Sequence, residues 1–196
     1  MKYPFYAALV SLFLISCGNN DNTNDDPRPV DRQIHQFEFI SYHITGIVLY
    51  KGSLGSKSNP DESYLKNYWS LYKEPAWKKL NLDLKNHSIQ LISDNSSNPV
   101  YNIKIVNDSV FIDDNNIQMS YIGDFNKNIF TLKRTFRYVK RMPRNDSDGF
   151  TLSQNTFFGT TQYENMFGTV FKNPLEMVKS DDQVLWSNIE YVYKEL

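Results

Sequence analysis

The chain has 196 residues, with 21 lysines and arginines against 22 aspartates and glutamates and a formal net charge of −1. This balance lacks the basic excess of a nucleic-acid-binding surface, so we expect no nucleic-acid partner. A single cysteine excludes an intrachain disulfide and any metal site built from several cysteines. Aromatic residues are plentiful, with 13 Tyr, 13 Phe and 3 Trp, and they favour strands over helices.

The first 16 residues have the pattern of a secretory signal peptide. A short, weakly basic start precedes an apolar run from Phe5 to Ile15 that only Ser11 interrupts. As a helix this run would be about 16 Å long, roughly half the hydrocarbon thickness of a bilayer, so it is too short to span a membrane. The polar residues that follow argue against the alternative, a buried N-terminal strand or helix.

The end of this segment, Leu14-Ile15-Ser16-Cys17, resembles the lipobox of bacterial lipoproteins at all four positions. In that family the peptidase cleaves between the small residue and the cysteine, here Ser16 and Cys17, and the cysteine carries acyl chains. The resemblance therefore implies that Cys17 is lipidated and that the membrane is a partner through its acyl chains. Two or three such chains hold a protein on a membrane stably, whereas one is marginal.

Residues 17–30 are predicted to form a flexible tether, because residues 18–26 contain no apolar side chain to bury. Such a chain has a typical span of about 20 Å. Gly18 is not the aspartate that retains many lipoproteins in the inner membrane. The acidic cluster at residues 21–26 resembles the surface-export signal of lipoproteins in the Bacteroidota. The resemblance implies an outer-membrane location, on either the periplasmic or the cell-surface face.

Residues 31–196 are long enough for one domain, and the mature chain has 20 Lys and Arg against 22 Asp and Glu. Segment 36–50 predicts an opening strand with a bulge at Gly46. A helix is predicted next, because Asn59 can cap it and Pro60 suits its first position. Its apolar residues fall on one face, which favours packing on a sheet, with a ligand surface as the alternative. They are Tyr64, Leu65, Tyr68, Trp69 and Tyr72.

Alternating apolar and polar residues from 78 to 141 predict an antiparallel meander. Leu80, Leu82 and Leu84 share one face of its first strand. A turn is predicted at 123–128, followed by a long strand at 129–142. Residues 143–183 are predicted to form a hairpin and a long excursion, and residues 184–194 are predicted to form a closing strand.

A meander of roughly seven to nine strands whose first and last members can pair predicts a mainly β fold. We expect a closed or nearly closed antiparallel barrel with one packed α-helix. The alternative is an open antiparallel sheet with the helix on one face. The barrel resembles that of lipocalin-like lipoproteins in architecture alone. The Gly-x-Trp of their first strand is absent here, and Gly46-Ile47-Val48 occupies the nearest position.

The chain has no recognisable catalytic motif, so we predict no enzymatic activity, no cofactor and no metal. Its three histidines lack the spacing of zinc ligands. Residues 124–128 resemble the start of a calcium loop, but Ile129 replaces the required glycine and Thr135 replaces the required glutamate. This segment is therefore predicted to be a hairpin turn. Enzymatic activity stays a third possibility, because acidic and basic side chains are present, although their spacing is not typical of a catalytic site.

Arg134 breaks the apolar pattern of the longest predicted strand. It falls on the same face as Phe136 and Tyr138, whereas Lys133 and Arg137 fall on the other face. A buried arginine needs a carboxylate or an anionic ligand, because an unpaired buried charge is costly. Arg134, Phe136 and Tyr138 are therefore the candidate ligand-binding residues. The alternatives for Arg134 are a salt bridge at a barrel mouth or a bulge that turns it outward.

The leading functional prediction is a lipid-anchored binding module for an apolar ligand, a glycan or an envelope protein. The alternative is an inhibitor or immunity-type lipoprotein that blocks a partner enzyme, in which case the loop 143–183 should matter more than any pocket. An enclosed apolar cavity would favour the first function, and a filled barrel with a projecting loop would favour the second.

Overall fold

The computed structural model describes residues 34–94, 97–114, 118–157 and 166–196. The predicted signal peptide and tether lie outside these residues, so the cleavage between Ser16 and Cys17 and the lipidation of Cys17 stay predictions. The described residues form ten strands, one α-helix and a short 3-10 helix at Pro174–Glu176.

The sequence predicts the three longest strands to within two residues at each end. The strands are β1 (Ile34–Lys51), β2 (Ser56–Ser58), β3 (Lys79–Asp83), β4 (Ser88–Ile92), β5 (Val100–Val106), β6 (Ser109–Asp114), β7 (Gln118–Asn126), β8 (Ile129–Arg141), β9 (Phe150–Phe157) and β10 (Gln183–Glu195). The predicted bulge in β1 is confirmed, since its pairing with β10 shifts register between Ile44 and Gly46.

Eight of the strands close into an antiparallel barrel. Neighbours pair in the order β10-β1-β3-β4-β5-β6-β7-β8, and β8 pairs in turn with β10 from Ile129↔Lys194 to Lys140↔Gln183. Closure removes the free edges that an open sheet would expose. The closed form of the predicted barrel is therefore confirmed, and the chain does not adopt the open sheet.

The barrel has two different ends. The N-terminal mouth is the end at which β1 begins, and it carries the turns at 84–87, 107–108 and 127–128. At the far end β2 and β9 extend the sheet beside β1 and β8. There β9 pairs with Arg134–Arg141 of β8, whereas β7 pairs with its first residues, Ile129–Leu132.

Inward-facing residues alternate along the strands, as half-buried strands require. Those of β3 and β4 are completely buried: Leu80, Leu82, Ile89 and Leu91. The prediction that Leu84 continues this face is wrong, because β3 ends at Asp83. The Asp83 carboxylate accepts a hydrogen bond from the amide of Asn86 at 2.9 Å and begins the turn there, which leaves Leu84 exposed.

The prediction of a turn beginning at Gly123 is also wrong. Strand β7 continues through Gly123 to Asn126, and only residues 127–128 turn. A β-carbon on Gly123 would lie 1.9 Å from the carbonyl oxygen of Thr131 on β8. Glycine is therefore needed at this position for close approach between two strands, not for a turn.

The predicted helix is shorter and is capped by a different residue. Helix α1 is Glu62–Lys66, and its cap is Asp61, whose carboxylate accepts a hydrogen bond from the amide of Ser63 at 2.9 Å. Asn59 and Pro60 precede the helix instead of starting it. The helix ends at Lys66, and the amides of Tyr68 and Trp69 in the turn that follows both donate to the carbonyl oxygen of Leu65, at 3.0 and 2.9 Å.

Helix α1 and the turns that follow it form one packed segment, residues 62–77, which we call the inner segment. It lies against the inward face of β1, β8 and β10 and buries Leu65 completely. The packing interpretation of the aromatic stripe is therefore confirmed.

The opposite face of the far-end sheet is covered by residues 166–178. Phe167, Phe171 and Met177 pack there against Val139 of β8 and Val184 of β10. The predicted hairpin after β8 is formed by β9, and the predicted excursion includes residues 158–165, which lie outside the described residues.

Candidate functional site

The three predicted ligand-binding residues come together on the inward face of β8. Arg134, Phe136 and Tyr138 lie opposite Ile189, Ser187 and Leu185 of β10, in that order, and all of them face the interior. Arg134 is 9% exposed and Phe136 is 2% exposed. The alternative in which a bulge turns Arg134 outward is therefore wrong.

Arg134 is held by neighbours that the sequence does not single out. Its Nε donates a hydrogen bond to Oδ1 of Asn155 at 3.0 Å, and its Nη2 donates to the carbonyl oxygen of Asn155 at 2.7 Å. The guanidinium carbon also lies 5.0 Å from the ring centroid of Trp77 and 4.6 Å from that of Phe157. A cavity of about 10 Å³ beside it is at the lower limit for holding one water molecule.

Phe136 and Tyr138 are covered by the inner segment. The ring of Trp69 stacks on Phe136 with centroids 5.2 Å apart, and the ring of Tyr68 lies 4.7 Å from Tyr138. These aromatic faces, which could line a ligand pocket, are therefore used for packing within the chain.

Two buried tyrosines of β10 fix the inner segment in place. The hydroxyl of Tyr191 donates to the carbonyl oxygen of Tyr72, and that of Tyr193 donates to the carbonyl oxygen of Trp77, both at 2.8 Å. Burial raises the pKa of both tyrosines, so both hydroxyls stay protonated and keep donating at physiological pH. The inner segment is thus tied to the sheet along its length.

The outer side of the inner segment carries an open groove of about 670 Å³. Its lining includes Leu71, which is 65% exposed, and charged residues of both signs. Glu62 organises one wall. Its Oε1 accepts hydrogen bonds from the hydroxyls of Tyr42 (2.8 Å) and Tyr72, and Nζ of Lys73 lies 3.1 Å away.

These donors keep Glu62 ionised. The hydrogen bond from Tyr72, followed by those from Tyr42 and Lys73, lowers the pKa of Glu62 to about 2. The side chain is 42% exposed, so the groove presents a fixed negative charge beside the ammonium of Lys73. Such a pair can orient a polar partner, but neither group is poised to exchange a proton near neutral pH.

A second surface lies at the far end, where two loops meet. The amide of Leu54 donates to the carbonyl oxygen of Met177 at 2.6 Å, which joins loop 52–55 to loop 172–179. Three aliphatic side chains on these loops face solvent: Leu54 (64% exposed), Leu175 (69%) and Val178 (51%). We call these three residues the far tip. The sequence analysis missed them, because no pattern in the neighbouring residues distinguishes an exposed apolar residue in a loop from a buried one.

A buried carboxylate holds the loop that carries Leu175 and Val178. Asp182 is completely buried, and its Oδ1 accepts from the amide of Met142 at 2.8 Å. Its Oδ2 accepts from the amides of Val178 (2.9 Å) and Lys179 (3.1 Å), and Nη2 of Arg144 lies 3.7 Å away. Three backbone donors and one cation on a single carboxylate fix the arrangement of loop 172–179, and the amide of Gly52 joins loop 52–55 to it by donating to the carbonyl oxygen of Asp182 at 2.9 Å.

The predicted hairpin turn at 124–128 carries no cation-binding arrangement of its own. The carboxylate of Asp124 accepts from the hydroxyl of Tyr121 at 2.7 Å and lies 2.9 Å from Nζ of Lys133. Burial alone would raise the pKa of Asp124, but the hydrogen bonds from Lys133 and Tyr121 outweigh it and lower the pKa. Across the described residues, no three His, Cys, Asp or Glu side chains converge as a metal site would require.

Comparisons of the chain with protein-family models, with curated proteins and with solved structures find no match. In the part of the chain that the structure describes, no helix is long and apolar enough to cross a membrane.

Proposed function

We propose that this protein is an outer-membrane lipoprotein, anchored through acyl chains on Cys17, that acts as an interaction module for another envelope protein. The far tip is the contact surface. Leu54, Leu175 and Val178 are each more than half exposed, although Asp182 bonds to both of their loops, through its carboxylate to the amide of Val178 and through its carbonyl oxygen to the amide of Gly52. This one observation carries the proposal, because a fixed apolar surface gains more from binding a protein than from facing water.

The packing of the interior supports a surface contact over a ligand held inside the barrel. Phe136 and Tyr138 lie against Trp69 and Tyr68, and Arg134 is bonded to Asn155. An apolar ligand at these residues would have to displace the inner segment, which two tyrosine hydroxyls hold at its backbone.

The contact surface is tested by affinity capture from the native envelope, quantified by mass spectrometry. Leu175→Asp should reduce recovery of a specific partner about tenfold, because losing an apolar anchor at an interface typically costs 1–2 kcal/mol or more, about a factor of ten. Val100→Asp is the matched control, since Val100 is also exposed (60%) but stands on β5. Equal loss with both variants, or with neither, would contradict the far tip as the contact.

A second candidate function is inhibition of a partner enzyme, and two observations favour it: the barrel interior is filled by the inner segment, and most of the far tip stands on one loop. Leu175 and Val178, two of the three far-tip residues, stand in the predicted loop 143–183, which matters most in an inhibitor. Adding the purified protein to the captured partner distinguishes the two functions. An inhibitor lowers the activity of the partner in proportion to occupancy, and Leu175→Asp restores that activity.

The anchor is tested separately by labelled fatty acid. Wild-type protein should incorporate the label, and Cys17→Ala should remain an uncleaved or mislocalised precursor without it. Equal incorporation by Cys17→Ala would contradict the lipoprotein assignment.

A further inference from the structure

The N-terminal mouth carries exposed aliphatic side chains on three strands that end or begin there. Ile34 at the start of β1 is 49% exposed, Leu84 after β3 is 37% exposed and Val106 at the end of β5 is 44% exposed. We call these three residues the mouth ring. Ile34 pairs with Asp83, the residue before Leu84, so Ile34 and Leu84 are neighbours on the rim.

The chain that carries the proposed anchor enters the domain at this same rim. Ile34 is only 17 positions after Cys17. A flexible chain of that length has a typical span of about 20–25 Å. With Cys17 in the membrane, the rim that holds Ile34 is therefore typically about 20–25 Å from the lipid-bearing residue, and the lipid surface is within its reach. The far tip is at the other end of β1, a strand of 18 residues that would be roughly 55 Å long if straight.

Charge adds little preference to this rim. Lys85, Lys127 and Lys194 are exposed on it, and Asp83, Asp108 and Glu195 stand beside them. The signs nearly cancel, so attraction to anionic lipid is weak. Any contact with the membrane must then come from the aliphatic side chains, with the lysine ammonium groups remaining in the headgroup layer.

We infer that the mouth ring rests on the lipid surface and orients the anchored domain with its far tip pointing away from the membrane. This inference rests on the proposed acyl anchor at Cys17. The occupant of the mouth ring is the bilayer itself, because the tether keeps bilayer within reach of this rim whenever the anchor is inserted.

Hydrogen–deuterium exchange of the acylated chain in phosphatidylcholine vesicles tests the inference. The reference is the unacylated Cys17→Ser chain with the same vesicles. Exchange should slow in the acylated chain at the turns 84–87 and 107–108, and it should be unchanged at loops 52–55 and 172–179. The slowing should persist at high salt, since the lipid is zwitterionic and the contact is apolar.

Two double variants sharpen the result. Leu84→Asp with Val106→Asp should lose the protection at the mouth, whereas Leu175→Asp with Val178→Asp should retain it. All four positions are exposed, so both variants are expected to fold, and circular dichroism checks this. Unprotected mouth turns in the acylated chain, or equal protection at both ends, would overturn the inference.

The anchor and the orientation fail in different ways. Mass spectrometry of the residue-17 peptide reports acylation independently of exchange, and its absence there counts against the proposed function. In that case the lone thiol of Cys17 can be coupled to a maleimide-bearing lipid in the same vesicles. Exchange in this coupled chain then supports or overturns the orientation by the same criterion.

Discussion

Replacing Arg134 with methionine should destabilise the domain, although the side chain faces an apolar interior. The change removes the hydrogen bonds from Nε and Nη2 of Arg134 to Asn155, at 3.0 and 2.7 Å, and leaves both oxygens of Asn155 to find other donors. It also removes the cation from the faces of Trp77 and Phe157.

The expected cost follows from these contacts. A hydrogen bond made by a charged group contributes about 1.5–3 kcal/mol, so two of them contribute about 3–6 kcal/mol. Methionine fills a similar volume and regains about 1 kcal/mol through contact between its sulfur and the rings of Trp77 and Phe157. We therefore expect Arg134→Met to lower the free energy of unfolding by about 2–5 kcal/mol, which is roughly 4–20 °C in melting temperature for a domain of this size.

Thermal and urea unfolding of the domain measure this difference. Lys104→Met is the matched control, because Lys104 is exposed on β5 and its loss should change stability by less than about 0.5 kcal/mol. A double-mutant cycle with Asn155→Ala should give a coupling energy of about 1–3 kcal/mol between the two side chains. An unchanged melting temperature for Arg134→Met would refute this structural role and favour the original ligand hypothesis.

Three further predictions concern other parts of the fold. Asp182→Asn should lower the free energy of unfolding by about 2–4 kcal/mol, measured by urea titration, because the NH2 group of the asparagine must face a backbone N–H that now donates to the carboxylate. Asp148→Asn, at an exposed position, is the control and should leave the free energy of unfolding unchanged. The pKa of Glu62 is lowered from 4.5 to about 2, so Glu62 stabilises the fold above pH 4.5 and loses this contribution as the pH falls toward 2. Unfolding of Glu62→Gln should therefore depend less on pH over this range, and a pH dependence equal to that of the wild type would contradict the bonds to Tyr42 and Tyr72. Circular dichroism of residues 31–196 should show β-structure with a very small helical signal, since α1 has five residues.

Much of the barrel can be predicted from sequence, because the pattern of apolar and polar residues that predicts each strand lies within that strand. The alternation of β3 and the long apolar face of β8 each depend on neighbouring residues, and the period of a strand converts them directly into faces. The inward direction of Arg134 follows from the same rule, and its burial against Trp77 and Phe157 confirms it.

The predictions that failed depend on contacts between distant segments. Gly123 is typical of a turn in the sequence, but it is needed where β7 meets Thr131 on β8. The position of the inner segment depends on bonds from Tyr191 and Tyr193 of β10, which lie more than a hundred residues later. No local pattern contains this information.

The same limit explains why the candidate site was predicted only in part. Alternation places Arg134, Phe136 and Tyr138 on one inward face, but an inward face can line a cavity or carry packing. The choice depends on whether another segment covers that face, and here Trp69 and Tyr68 of the inner segment cover it. The aromatic stripe was visible in the sequence, although the face that it would cover was not.

If the proposed anchor and the proposed far-tip contact are both correct, the topology places them at opposite ends of the barrel. In a closed antiparallel circuit of eight strands, the first strand begins and the last strand ends at the same mouth, and every second connection returns there. A tether that precedes β1 therefore always acts on this mouth. The connections at the opposite end are free to vary without disturbing the attachment. Here those connections carry Leu54, Leu175 and Val178, and Asp182 accepts hydrogen bonds from both of their loops, at Val178 and at Gly52. A partner bound there would be held one barrel length from the membrane, so the distance between membrane and partner would be set by the length of β1 instead of by the flexible tether.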